Sequence, residues 1–303
     1  MDAPRPATPG SYGVRPPSFR LPDETRTGGV VLQVSDLGRS REFYECTLGF
    51  RPITLAADRV TLGAAIGDRV LIELVETRTT LAPNRRKALG LFHVAILLPS
   101  RADLGRFLRH LERQGMRAGA GDHLVSEALY LQDPDDLGIE VYADRPKAGW
   151  MRRGRELVMG TEAVNTRGLL AAGGSIPWSG MPAGTTIGHV HLHVGALAEA
   201  EHFYSGAVGL DRMVWSYPGA LFLAAGGYHH HLGTNLWAGA GAQPAAPDAP
   251  QLLEWSLELP SAEDVELVAR SLRGSGYDVD HSDAQVFTRD PWGTALRLRV
   301  ADR

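Results

Sequence analysis

The chain repeats itself. Val-Ser-Asp-Leu-Gly-Arg-Ser-Arg-Glu-Phe-Tyr, from Val34, and Val-Gly-Ala-Leu-Ala-Glu-Ala-Glu-His-Phe-Tyr, from Val194, share Val, Leu, Phe and Tyr at a constant offset of 160 residues, and Gly49 and Gly209 continue the match. A second pair follows at an offset of 161: Leu98-Pro99-Ser100 opens a helical stretch closed near Gly115, and Leu259-Pro260-Ser261 opens one closed near Gly276. Self-similarity of this kind restricts the chain to a duplicated architecture. Each unit begins with a short alternating or apolar run, enters a helix near Asp36, Ser100, Ala196 or Ser261, and continues in further strand-like runs. The pattern predicts an α+β fold of four βαβββ modules, at about 27–76, 90–145, 185–240 and 252–302. Pro- and Gly-bearing connections separate them, the longest at 146–184. Residues 1–26 carry repeated Pro among polar and charged residues and predict an extended N-terminal arm outside the modules.

A chain of 303 residues with 44% hydrophobic residues can bury the cores that two domains require. The formal charge of −4, from 31 basic and 35 acidic residues, supplies no electrostatic reason for a nucleic-acid or membrane partner, and none is expected. No apolar run reaches the roughly 18 to 20 residues of a membrane span, and the first residues lack the apolar core of a secretory signal. A lone cysteine, Cys46, excludes an intrachain disulfide framework and fits the cytoplasm. Its place after the Phe-Tyr helix predicts a core position.

Four βαβββ modules resemble the vicinal oxygen chelate superfamily, which includes glyoxalases and type I extradiol dioxygenases. The resemblance implies paired modules curled into two cleft-shaped half-barrels around a metal, and it covers nearly all of the chain beyond the arm. A second likeness sits between Gly121 and Glu140, where His123, Tyr130, Asp133-Pro134 and Glu140 resemble the signature of type I extradiol ring-cleavage dioxygenases. There, a His and a Tyr face the substrate and the closing Glu binds iron. One position departs from that signature: Asp136 stands where the family usually has Gly or Pro. Asp tolerates turn conformations, and Gly138 is nearby for a strained dihedral.

In the superfamily the ligands lie on the first and last strands of a module. His93 aligns with His189, whereas modules one and four carry Gly29 and Glu254 at that position. Strand parity agrees: Val94, Ile96 and Leu98 share an apolar face, which turns His93 to the other side. Val190, Leu192 and Val194 likewise leave His189, His191 and His193 on one face, and only the alignment singles out His189. On the last strands, Glu140 lies seven residues after Asp133, and the position seven after Asp290 is Arg297. The resemblance therefore implies a metal triad of His93, Glu140 and His189, two imidazoles and a carboxylate, as in non-haem Fe(II) oxygenases. Mn(II) suits the same donors. Ligands from modules two and three require those modules to pair around the metal and modules one and four to form a metal-free pair, in which Glu254 and Arg297 are placed to pair with each other.

Familiar extradiol enzymes take all three ligands from the second half of the chain. This arrangement resembles most a smaller branch that includes bacterial catechol 2,3-dioxygenases of the Bacillus type, through His123–Arg145, Gly188–Val194 and Gly227–Trp237. That likeness implies a catecholic substrate, O2, and an acid/base residue within His229-His230-His231. Setting Leu232-Gly233 against the family's small apolar pair puts that role on His230. His123 and Tyr130 would orient and polarise the substrate. Asn235 and Trp237 suit a pocket wall and ordinary strand packing alike. A homo-oligomer is expected. Two rival readings share the fold: a non-redox, glyoxalase-like lyase, isomerase or transferase, and a small-molecule binding protein without catalysis. Ring substituents stay open, because they depend on the loops 77–89, 146–184 and 238–251.

Overall fold

The computed structural model describes residues 3–77, 88–282 and 285–301. Most of the loop 77–89, together with residues 1, 2, 302 and 303, lies outside them. Two large mixed sheets, few helices and curled half-barrels make up the α+β fold. In the first sheet the strands run Asp211–Val214, Ala220–Ala224, Leu232–Asn235, Thr186–His193, Ala88–Leu97, Gly138–Asp144, Ser126–Gln132 and Gly119–Asp122, with Gln243–Pro244 added beside Ala88–Leu97. The second sheet runs Asp280–Ser282, Gln285–Arg289, Ala295–Val300, Gln251–Leu259, Arg26–Val34, Ile72–Glu76, Arg59–Gly63 and Arg51–Leu55. Both close on the same device. The first strands of two units meet antiparallel at the centre, and each pairs in parallel with the last strand of its own unit.

Each helix starts where a side chain, or an extended residue, can end the preceding strand. Asp36, Ser100 and Ser261 accept from the backbone N–H three residues on, which satisfies donors that a helix start leaves open; Ala196 takes the same position without a side-chain cap. In the first and third units a short α-helix widens into π-helical turns at Phe43–Leu48 and Glu201–Ala207. The chain then turns at Gly49 and Gly209, whose φ of 89° and 100° are left-handed values that favour glycine.

The repeated Phe-Tyr and Asp-Pro pairs explain each other. Tyr44 Oη donates to Asp133 Oδ2 at 3.2 Å and Tyr204 Oη to Asp290 Oδ2 at 2.9 Å, so each buried tyrosine ties its helix to the turn before the next unit's last strand. Around these bonds Leu32, Val94, Ile96, Val190, Leu192, Phe203, Trp255 and Leu257 pack into one continuous core. Each side chain of this size contributes on the order of 1.5–3 kcal/mol by leaving water.

The N-terminal arm is tied down along its length. Arg5–Pro6 joins Met151–Arg153 and Glu156–Leu157 in a small antiparallel sheet, Leu21 is buried, and Tyr12 Oη donates to Gly227 O at 2.7 Å. Proline bars the arm from a long ladder, but not from isolated strand pairs and side-chain contacts. Cys46 is exposed, contrary to the core position predicted for it, because it falls on the outer side of the π-helical turns between buried Tyr44 and Leu48. No helix among the described residues is long and apolar enough to cross a membrane.

Candidate metal centre

Strand register builds the site. Ala95 pairs with His189 on one side and with Glu140 on the other, and Glu140 pairs in turn with Tyr130. Cross-strand partners share a face, so Tyr130, Glu140, Ala95 and His189 form one row across four strands. His93, two residues before Ala95, joins the same face. The small side chain of Ala95 keeps the middle of the row low, and the ligand atoms of His93, Glu140 and His189 all come within 4.8 Å of one another. All three residues are buried.

The donor set fits a divalent metal. Glu140 Oε2 lies 2.9 Å from His93 Nε2 and 3.4 Å from His189 Nε2, yet neither contact has hydrogen-bond alignment, so both Nε2 atoms and His189 Nδ1 are buried without a partner. Such atoms are costly unless something else satisfies them. Burial, the largest influence on Glu140, pushes its carboxyl up, but the charges and hydrogen-bonding capacity of His189 and His93 outweigh it and hold the group well below the usual range. Burial lowers His189 to about 4 against the opposing pull of Glu140. A neutral imidazole beside an ionised carboxylate is the protonation state in which both can bind a cation.

The other two histidines of the strand Thr186–His193 are engaged elsewhere. Asn235 donates from Nδ2 to His191 Nε2 at 2.9 Å and accepts from His193 Nδ1 at 2.6 Å. Asn235 thus acts as a clamp, a role the sequence did not separate from packing. In front of the triad lies a cavity of about 250 Å³ whose wall includes Phe92, Phe222, Tyr217, Met159 and Trp237. His191, His123, Tyr130 and His230 supply polar groups to it.

His123 and Tyr130 are joined directly on the wall of this cavity. Gly160 O can only accept, so His123 Nδ1 donates to it at 2.8 Å, and Nε2 of the neutral ring receives the Tyr130 hydroxyl at 2.5 Å. Burial first, and then Glu140, keep that hydroxyl well above its ordinary pKa, hence protonated. His230 packs tilted against His189 with ring centroids 3.9 Å apart, and its Nδ1 lies 2.7 Å from His229 Nδ1. His229 reaches Asp144, and His231 accepts from Ala225 N at 3.1 Å. The three histidines therefore have three different surroundings.

Other parts of the surroundings escaped the sequence reading. Met159, Gly160 and Thr161 come from the long connection 146–184, and Phe92 precedes His93 without any motif of its own. Tyr142 and Asp144 did carry a signal, because they alternate with Glu140 onto one strand face. The turn before that strand is held by Asp133, whose Oδ1 accepts from Asp135 N and Leu137 N. Asp136 takes the left-handed conformation itself, with φ of 61°, so the strain falls there and not on Gly138. In the second sheet, Arg297 Nε donates to Glu254 Oε1 at 2.6 Å, where the first sheet has its buried histidines and carboxylate.

Comparison with known proteins agrees with this architecture. A family model described as the Glyoxalase/Bleomycin resistance protein/Dioxygenase superfamily matches residues 26–141. The catechol-2,3-dioxygenase of Bacillus subtilis (strain 168) is 43% identical over 272 residues, covering 89% of this chain and 95% of that protein. Among solved structures, a Bacillus subtilis subsp. subtilis strain 168 protein assigned as a dioxygenase superposes with a TM-score of 0.64 at 12% identity, over 94% of this chain and 87% of its own. Glyoxalase I of Zea mays does so with a TM-score of 0.53 at 15% identity, over 91% and 92%. These two structural likenesses speak for the fold, and the 43% identity carries the relationship. The chain belongs to the Glyoxalase/Bleomycin resistance protein/Dioxygenase superfamily.

Proposed function

We propose that the chain is an Fe(II)-dependent extradiol dioxygenase. It would open catechol or a substituted catechol between a hydroxylated carbon and its unhydroxylated neighbour, placing both atoms of O2 in a 2-hydroxymuconic semialdehyde type product. The observation that carries this reading is the convergence of His93, Glu140 and His189, with unpartnered buried nitrogens, beside an aromatic-walled cavity that His93 and Glu140 line. The name of the Bacillus subtilis relative supports the same chemistry. Fe(II) held by these three residues would supply the redox chemistry that lets a vicinal diol react with O2.

The remaining work belongs to side chains. His230 takes a hydroxyl proton from the catechol and later returns it; burial, followed by the neighbouring His189 and His229, holds the ring well below the ordinary imidazole pKa, so it is neutral and able to accept. The Tyr130 hydroxyl, whose one proton goes to His123 Nε2, offers its oxygen to a substrate hydroxyl, and His123 holds it in place through its own bond to Gly160 O. Phe92, Phe222 and Trp237 confine the ring and exclude water. Among the described residues no Lys or Arg lines the cavity, which favours an uncharged ring over a carboxylated one. With a single cysteine in the chain, the reducing cytoplasm suits this reaction.

The test is anaerobic reconstitution with Fe(II), followed by catechol and its 3- and 4-substituted forms in air. Yellow ring-opened product with matching oxygen uptake is expected. Iron binding without oxygen uptake would turn the assignment to the non-redox chemistry of this superfamily, and failure to bind iron would leave a ligand-binding role.

A further inference from the structure

The strand Gly138–Asp144 ends in a carboxylate to which the reading above gives no task. The Asp144 side chain is 30% exposed, whereas the His229 side chain beside it is 0% exposed. Asp144 Oδ1 lies 2.9 Å from His229 Nε2, and His229 Nδ1 lies 2.7 Å from His230 Nδ1. The same carboxylate oxygen accepts from Tyr228 Oη at 3.2 Å, and the hydroxyls of Tyr228 and Tyr142 are 2.6 Å apart. Burial, followed by the Asp144 charge, keeps the Tyr228 hydroxyl protonated and therefore a donor. An unbroken line of hydrogen bonds thus runs from a partly exposed carboxylate, through a buried imidazole, to the cavity wall.

Donor and acceptor counting orders the protons along this line. A carboxylate only accepts, so His229 carries its proton on Nε2. A neutral His229 then has a bare Nδ1. Two facing ring nitrogens need one proton between them, and His230 supplies it from its own Nδ1. That leaves Nε2 as the bare nitrogen of His230, on a ring that forms part of the cavity wall.

We propose that Asp144 and His229 are positioning residues that lock His230 in the tautomer whose Nε2 lone pair is available to the cavity. The proposal rests on the reading of His230 as the base. With its proton on Nε2 instead, a neutral His230 would present a donor to the substrate hydroxyl and could not accept from it. Asp144 touches neither the substrate cavity nor the triad, so its effect on catalysis runs through His229.

Histidine tautomers can be read without turnover. Protein containing 15N-labelled histidine and loaded with Zn(II), which is diamagnetic, reports each ring by long-range 1H–15N correlation. The wild-type protein should show His229 protonated at Nε2 and His230 at Nδ1. In Asp144→Asn the carboxamide can turn its NH2 towards His229 Nε2, which moves the His229 proton to Nδ1 and the His230 proton to Nε2; both rings should reverse. Loaded with Fe(II), the same variant should keep its KM for catechol within about threefold while kcat falls by about tenfold or more. Should the variant fail to fold, the wild-type spectrum decides alone, and His230 protonated at Nε2 overturns the proposal. Wild-type tautomers in Asp144→Asn, or reversed tautomers with unchanged kcat, overturn it as well. A wild-type protein that binds Fe(II) but leaves catechol intact would defeat the ring-cleavage reading instead, with the order of protons still decided by the spectrum.

Discussion

Gly188→Ala should damage the site from beneath. Gly188 precedes His189 in the strand Thr186–His193, and a Cβ added there would stand 1.8 Å from Tyr142 Oη and 2.7 Å from its Cζ. Tyr142 is fully buried, packs against His189 with ring centroids 5.0 Å apart, and shares a hydrogen bond with Tyr228. The tyrosine cannot swing into solvent, so the strand or the ring must shift. Overpacking of this kind costs about 1–3 kcal/mol, and breaking the Tyr142–Tyr228 bond in a buried setting adds about 1–3 kcal/mol. A loss of roughly 2–6 kcal/mol is therefore expected in urea unfolding followed by circular dichroism. Tyr142→Phe alone should cost about 1 kcal/mol. Combined with Gly188→Ala, it removes the atom in the closest clash, so the double variant should be more stable than the sum of the single effects by at least about 1 kcal/mol. Additive losses, or a Gly188→Ala protein as stable as the wild type, would refute this account of the packing.

Three further outcomes follow from other parts of the molecule. Burial, followed by the neighbouring His229, lowers His231 to about 3; the folded state then binds fewer protons than the unfolded chain between about pH 6.5 and 3, and stability falls with falling pH across that window by up to about 1.4 kcal/mol per unit. His231→Gln should flatten that slope in urea titrations at pH 7 and 4.5, and an unchanged slope would contradict the reasoning. Arg297→Met, which removes a partly buried ion pair with Glu254, should cost about 1 kcal/mol of stability and leave the metal content unchanged, because that pair belongs to the other sheet. Trp237→Ala opens the cavity wall, and steady-state kinetics should show KM for catechol rising by about tenfold with kcat little altered.

Much of this architecture is legible in the sequence because the repeated residues do repeated structural work. Tyr44 and Tyr204 recur since each bonds the Asp of an Asp-Pro turn, and Gly49 and Gly209 recur since each holds a left-handed turn. Parity in Phe92–Leu98 and Gly188–Val194 places His93 and His189 on their strand faces, and the candidate ligand atoms of His93, Glu140 and His189 lie close together. Parity does not reveal partners far away in sequence. It could not show that Asn235 engages His191 and His193, that Tyr12 of the arm reaches Gly227, or that 159–161 would come to wall the cavity. Cys46 was misread from its place after the Phe-Tyr helix: the chain there continues in π-helical turns that leave it exposed between buried Tyr44 and Leu48.

The central claim is that His93, Glu140 and His189 together bind one catalytic metal. Its most direct test is elemental analysis of the Fe(II)-reconstituted, desalted protein, alongside His93→Ala, Glu140→Ala and His189→Ala variants shown to be folded by circular dichroism. Stoichiometric iron in the wild-type protein and its loss from each variant, together with oxygen uptake, is the result predicted; stoichiometric iron retained in all three variants would contradict the claim.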